Sequence, residues 1–287
     1  MIVEACYFMW YIVAVIITSH WEPYSMEIIV CIKQVPGTTS VNIDPETGIL
    51  LRDGIDAKMN PFDLFALETA FMLREKMGGS VKVITMGPPQ ARGIVMESYM
   101  MGADDGFLVT DKSFAGSDVL ATSYTLSQGI KKMGKFDLVI CGKQTTDGDT
   151  AQVGPEIAEF LDIPHVSNVL KINKITDRDI VIDMDMPETI ETLSIKFPCL
   201  ISVDKDIYQP RLPSYLLKQK TKEKEVKKIC LKDLIDSSPS NYGLEGSPTQ
   251  VERVFPPEHN SNKEIWNGSS DEMAKRVAKK LKDLKFI

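Results

Sequence analysis

Histidine and cysteine are scarce among the 287 residues, three and five in number. The three histidines, His20, His165 and His259, stand far apart, so a histidine metal site or acid/base pair has no basis and they read as surface or loop residues. The five cysteines, Cys6, Cys31, Cys141, Cys199 and Cys230, are odd in number and include no C-x-x-C pair. That pattern argues against a disulfide framework or zinc knuckle and for reduced thiols in a cytoplasmic protein. There is no basic excess: 33 Lys+Arg against 40 Asp+Glu gives a charge of −7, and hence no global attraction to nucleic acid. The unbroken apolar run over residues 5–17 falls short of the roughly 20 residues a spanning helix needs. It also lacks the basic flank and small-residue cleavage site of a signal peptide. Neither a Walker loop nor G-x-G-x-x-G occurs, and no nucleophile comes with a plausible base partner.

What is present, 43% hydrophobic and 25% charged residues, is an ordinary globular composition in a chain long enough for one large domain or two. From Met26 onward, strand-length apolar runs (Glu27 to Lys33, Val81 to Met86, Gly106 to Thr110, Phe136 to Cys141) alternate with helical patterns. Met26 therefore reads as the natural start, with residues 1–25 an extension foreign to the fold; membrane tethering is the alternative for that segment. The helix beginning at Asn60-Pro61 is well signposted: Asn60 suits the N-cap, Pro61 the first helical position, Asp63 the first turn, and Gly78-Gly79 the stop. Two more helices are expected, one after Pro88-Pro89 up to about Met101 and one from Ser117-Asp118 to Met133. Beyond residue 165, stretches 165–172, 179–185 and 191–203 read as adjacent strands turning at Asn173-Lys174 and Met186-Pro187-Glu188. The expected fold is α/β: a doubly wound, mostly parallel, Rossmann-like sheet over 26–210 with an added antiparallel hairpin. A segment 211–235 follows, and then an extended arm, 236–287, ending in a helix opened by the capping box Ser269-x-x-Glu272. From Arg211 to Lys228, seven basic side chains face only Glu223 and Glu225, so the acidity belongs to the rest of the chain.

The chemistry concentrates between Cys141 and Glu156. This stretch leaves the carboxyl end of a buried strand, turns on small and hydroxyl residues, and starts a helix near Thr150 to Pro155. In open α/β sheets ligands sit at such strand ends, and helix-terminal amides attract anions, so a nucleotide phosphate fits here. A polar loop that merely caps the helix fits the same spacing. Asp147 and Asp149 would repel a phosphate and are expected to accept backbone amide bonds instead. Cys31 to Gln34, Asn60 to Asp63 and Met86 to Pro89 would face the same crevice.

Taken in order, Val30-Cys31-Ile32-Lys33-Gln34-Val35-Pro36, Lys58-Met59-Asn60-Pro61-Phe62-Asp63, Met86-Gly87-Pro88, Met101-Gly102-Ala103-Asp104 and Gly142-Lys143-Gln144 through Asp149-x-x-Gln152-x-Gly154 closely resemble the electron-transfer flavoprotein beta subunit. The resemblance covers residues 26–287. It implies an electron carrier rather than a self-sufficient enzyme: a heterodimer with an alpha subunit that binds FAD, serving an oxidoreductase complex. It puts the nucleotide pocket on Cys31, Asn60, Pro61, Phe62, Asp63, Met86, Gly142, Lys143, Gln144, Thr145, Thr146, Asp147, Gly148, Asp149, Thr150, Ala151, Gln152 and Val153. It likewise makes Leu212, Pro213, Tyr215 and Leu216 a dehydrogenase-docking surface, with Leu212 the apolar anchor; a solvated charged tail is the plainer alternative.

Within that family, one group holds AMP in the beta-subunit pocket. The other holds a second FAD and carries out flavin-based electron bifurcation from NADH. Residues 111–124 and 147–155 resemble the second group, and small residues at Gly148, Thr150 and Ala151 let backbone approach a pyrophosphate closely. The resemblance thus implies FAD, or AMP in its place, NADH as a transient substrate, and ferredoxin with an acyl-CoA dehydrogenase-like or lactate dehydrogenase-like flavoprotein as partners, with no nucleic acid or membrane. A nucleotide-binding regulatory protein of the same fold would explain the crevice but not the lysine segment or the arm.

Overall fold

The computed structural model describes residues 25–37, 42–43, 50–51, 57–252 and 263–287. The foreign extension expected over 1–25 lies, Ser25 apart, outside the described residues, as do Cys6, His20 and His259. Two units are distinguished, one of 1–41 with 52–251 and one of 42–51 with 252–287.

The first unit begins with β1 (Met26–Cys31), β2 (Gln34–Pro36), β5 (Ala57–Met59) and α1 (Pro61–Met77); the intervening β3 (Asn42–Ile43) and β4 (Leu50–Leu51) belong to the second. There follow β6 (Gly79–Met86), α2 (Arg92–Met101), β7 (Asp105–Val109), α3 (Val119–Met133), β8 (Leu138–Gly142) and α4 (Val153–Leu161). The unit closes with β9 (His165–Ile175), β10 (Asp179–Asp185), β11 (Ile190–Lys196), β12 (Cys199–Val203), α5 (Tyr215–Lys220) and β13 (Lys227–Ile229). Nine strands form one sheet in the order β11-β10-β9-β12-β8-β1-β6-β7-β13. Every pairing from β9 to β13 across that order is parallel, while β9-β10-β11 is an antiparallel meander, so the expected fold class stands.

Alternation along β1 explains why both faces are covered. Met26, Ile28 and Val30 pack with Leu67 and Phe71 of α1 and Ile94 and Val95 of α2; Ile29 and Cys31 pack with Leu126 and Ile130 of α3 and Ile157 and Ala158 of α4. Strands buried on both sides read as continuous apolar runs, as these do. After β1 the chain lays β6 and β7 on one side, then returns through α3 to put β8 on the other. The reversal makes the carboxyl ends of β1 and β8 the topological switch point.

Two local expectations needed correction. The single strand expected over 191–203 is two, β11 and β12, because Pro198 has no N–H to continue a ladder; β12 then crosses to lie between β8 and β9. The turn expected at Asn173-Lys174 falls at Thr176 to Arg178, where the Thr176 hydroxyl accepts the amides of Arg178 and Asp179, both at 3.1 Å. The arm expected from residue 236 remains with the α/β unit through Val251. Tyr242 is buried against Phe114 and Tyr124, and the left-handed Gly243 (φ 58°) lies so close to the Ser113 carbonyl that a β-carbon could not fit. The segment 211–235 contains α5 and the sheet-edge strand β13.

In the second unit, β3 and β4 pair antiparallel, Asn42 with Leu51 and Ile43 with Leu50. The final helix, α6 (Ser270–Asp283), opens on the expected capping box, in which the Ser269 amide donates to Glu272 at 3.0 Å. Val277, Leu281 and Leu284 line it and are exposed.

Candidate nucleotide site

Asp63, one turn into α1, is where the switch point is tied together. Its carboxyl accepts the Lys33 amide just past β1 at 2.7 Å and the Asn60 side-chain amide at 2.9 Å, and it lies close against Gly142 at the end of β8. Burial pushes this acid up to about 7, against the opposing pull of those donors and of the Lys33 charge. Both strand ends and the start of α1 thus meet at one buried group. Gly142 permits the approach: a β-carbon there would stand 2.5 Å from Asp63 Oδ1 and 2.8 Å from the Phe62 side chain.

Asn60 occupies the N-cap position, but its side chain makes no cap bond to its own helix. Fully buried, it instead donates to the Gln144 carbonyl at 2.9 Å and accepts the Thr146 amide at 3.2 Å, clamping the loop that follows β8. Lys33 Nζ reaches across the crevice to Asp147 Oδ1 at 2.8 Å, and Gln144 Nε2 donates to Asp149. Asp147 and Asp149 therefore engage side chains of the crevice. Burial would raise the Asp147 carboxyl, but Lys33 and Thr145 hold it below its ordinary value. Lys143 turns the other way, to Asp204 at the end of β12 (2.8 Å). Sequence reasoning set Lys33 at the crevice though not among the pocket residues, and left Asp204 out; the signal for both was a charge set just after a buried strand.

From Thr146 to Gln152 the loop is exposed, and Asp149 (φ 54°) and Ala151 (φ 56°) adopt the left-handed conformation just ahead of α4. A left-handed residue turns successive amides toward one side, the arrangement that makes anion-binding concavities. Since Lys33 and Lys143 are already paired with carboxylates, backbone N–H groups are the available donors for a phosphate here. Cys31 and Cys141 lie opposite one another on β1 and β8, and Met86, half-buried, packs against their cluster. The Cys141 thiol is raised by its Cys31 neighbour and by burial, which keeps it protonated and unreactive. The structure therefore brings Cys31, Met86, Asn60 to Asp63 and Gly142 to Asp149 to one sheet end, and the loop continues exposed through Thr150, Ala151 and Gln152. His165 opens β9 as an exposed residue, apart from this crevice.

Leu212, Tyr215 and Leu216 are 86%, 72% and 71% exposed, and Pro213 is exposed with them, beside α2, where the Ser214 amide bonds the Met100 carbonyl at 2.8 Å. Among the lysines that follow, Lys224 lies 4.5 Å from the Tyr99 ring and Lys227 pairs with Asp105, while Lys218, Lys220, Lys222 and Lys228 are exposed.

The model of the electron transfer flavoprotein domain matches residues 47–234. Over 262 residues, 91% of this chain and the whole of the relative, 43% of positions are identical to the electron transfer flavoprotein subunit beta of Clostridium acetobutylicum. The chain belongs to the electron transfer flavoprotein family, as a beta subunit. This beta subunit is also 42% identical, over 91% of its length and all of the relative's, to the caffeyl-CoA reductase-Etf complex subunit CarD of Acetobacterium woodii. With Protein FixA of Azorhizobium caulinodans it shares 40% identity over 83% of its own length and 87% of the relative's. Among the described residues, no helix of the beta subunit is long and apolar enough to cross a membrane.

Proposed function

We propose that this beta subunit pairs with an alpha subunit in the cytoplasm, holds FAD in the crevice between β1 and β8, and takes part in flavin-based electron bifurcation from NADH. Electrons would pass between a partner dehydrogenase and ferredoxin. The observation that carries the reading is the loop after β8. Its exposed small residues Gly148, Thr150 and Ala151, with the left-handed turns at Asp149 and Ala151, leave backbone amides open at the start of α4. A diphosphate has the charge and reach to use such a row of donors, more than a single phosphate needs.

When bound, the flavin would supply acceptance of an electron pair and its release as single electrons. The chain's own residues do the holding. Asn60 and Asp63 fix the loop and both strand ends, Lys33 and Asp147 bridge the crevice mouth, and Cys31 and Met86 offer an apolar wall. With Lys33 and Lys143 each countered by a carboxylate, neither lysine adds net positive charge beside the cofactor, and hydrogen bonds are left to tune its potential. The exposed set Leu212, Pro213, Tyr215 and Leu216 is the docking surface for the dehydrogenase. The name of the Acetobacterium woodii relative favours the acyl-CoA class over a lactate dehydrogenase-like partner. The exposed apolar residues of α6 supply a face for the alpha subunit.

The test is extraction of nucleotides from the purified heterodimer. Two FAD per dimer is the expected result; one FAD with one AMP overturns the bifurcating reading and leaves a beta subunit whose nucleotide is structural.

A further inference from the structure

The docking surface is apolar and open to water, yet the backbone that bears it is tied down. Arg211, immediately before Leu212, donates to Glu68 of α1 through its backbone amide (3.0 Å), Nε (2.8 Å) and Nη2 (2.8 Å), and through Nη2 to Glu75 (3.0 Å). Its guanidinium also lies 4.9 Å from the ring centroid of Phe71, between the two glutamates on the same helix. Glu68 is 5% exposed and Phe71 wholly buried, so the clamp is seated in the core while Leu212, the next residue, is 86% exposed. Three residues on, Ser214 is pinned to the Met100 carbonyl at 2.8 Å, and its hydroxyl accepts the Leu217 amide to start α5.

We infer that Glu68 and Arg211 are positioning residues for partner docking: their fork-to-carboxylate contact holds the backbone of the 212–216 segment in the conformation that presents Leu212, Tyr215 and Leu216 to the dehydrogenase. The inference rests on the docking reading above and adds residues with no surface role of their own. The physical reason is preorganisation. An exposed apolar anchor on a free loop would have to be ordered at each encounter, which weakens association, whereas one held in advance avoids that cost. A bidentate arginine pair against a buried carboxylate is directional enough to do this, and a lysine would not reproduce the fork.

The experiment uses the heterodimer with an acyl-CoA dehydrogenase as redox partner and compares Leu212→Ala, Glu68→Gln, Arg211→Gln and the Glu68→Gln/Arg211→Gln double variant. Each clamp variant is expected to raise the KM for the heterodimer about three- to tenfold, with kcat and flavin content held. The double variant should be no worse than the weaker single one, because both remove the same contact. The double variant, which leaves no buried charge unpaired at the helix, guards against a folding failure in either single one. A KM that rises in Leu212→Ala but not in Arg211→Gln overturns the clamp and leaves docking intact. Additive losses in the double variant overturn it too. If Leu212→Ala leaves KM unchanged, the docking reading itself fails and the clamp falls with it.

Discussion

At the scale of single residues, Asp63 concentrates the tension of the site. Its carboxyl is buried where it accepts the Lys33 and Asn60 N–H donors, and burial raises it to about 7. A carboxyl whose folded value lies above its unfolded value of about 4 lends stability that is complete below pH 4 and lost as pH rises through 7. Asp63→Asn replaces one accepting oxygen with a donor facing donors, and is expected to cost about 1–3 kcal/mol. The asparagine does not ionise, so the gap from wild type should be wider at pH 5 than at pH 8. Thermal unfolding of the two heterodimers at both values checks this; a gap that widens with pH contradicts it. Asn60 shows what a sequence hides at this scale. Its position before a proline-led helix was legible, but a side chain that leaves the helix backbone uncapped and also bonds Gln144 and Thr146, more than eighty positions on, leaves no local signal.

At the scale of elements, the β8 loop and the start of α1 fit one another through Gly142. Gly142→Ala should push α1 away from β8, because the new methyl meets Asp63 and Phe62 on a buried helix start, and nucleotide content of the purified heterodimer should fall several-fold. Ala151→Gly acts in the opposite sense. Removing the β-carbon from a left-handed residue relieves about 1 kcal/mol of strain and should raise the melting temperature while nucleotide content stays as it was. Loss of nucleotide in Ala151→Gly would show that the methyl itself packs on the ligand. Helix limits were readable here because their punctuation is local: Pro61 and Gly78 bound α1, and Asp118 and Gly134 bound α3. The break between β11 and β12 was obscured because Phe197-Pro198 sits inside an otherwise continuous strand-like run. The left-handed residues Asp149 and Ala151 carried no such mark, since neither is glycine.

For the molecule as a whole, the doubly wound sheet followed from alternating strand and helix patterns, and the switch point from strand order, which only the crossover of β8 past β1 decides. The charge distribution was partly legible. The lysine-rich stretch was plain, but Lys224 and Lys227 are spent on Tyr99 and Asp105, leaving Lys218, Lys220, Lys222 and Lys228 exposed in the stretch that follows the apolar anchor. Charge of this kind speeds encounter with an acidic partner and is screened beyond about 10 Å at 0.1 M salt. Electron transfer to the dehydrogenase at limiting heterodimer should therefore slow about tenfold as salt rises from about 0.05 to about 0.5 M. Lys218→Gln/Lys220→Gln should flatten that dependence; a salt-independent wild-type rate would rule out steering.

The strap formed by residues 236–251 bears on how the chain matures as it is made. Asp118, which caps α3, receives the hydroxyl and amide of Thr249 and gives its own amide to Ser247, partners 129 and 131 positions later in synthesis. Glu68 waits still longer, 143 positions, for Arg211. A nascent chain that has emerged only through α4 thus carries a buried carboxylate without its counter-ion and a helix start without its outer support. The ribosome has to deliver almost the entire unit before either flank of the sheet can close.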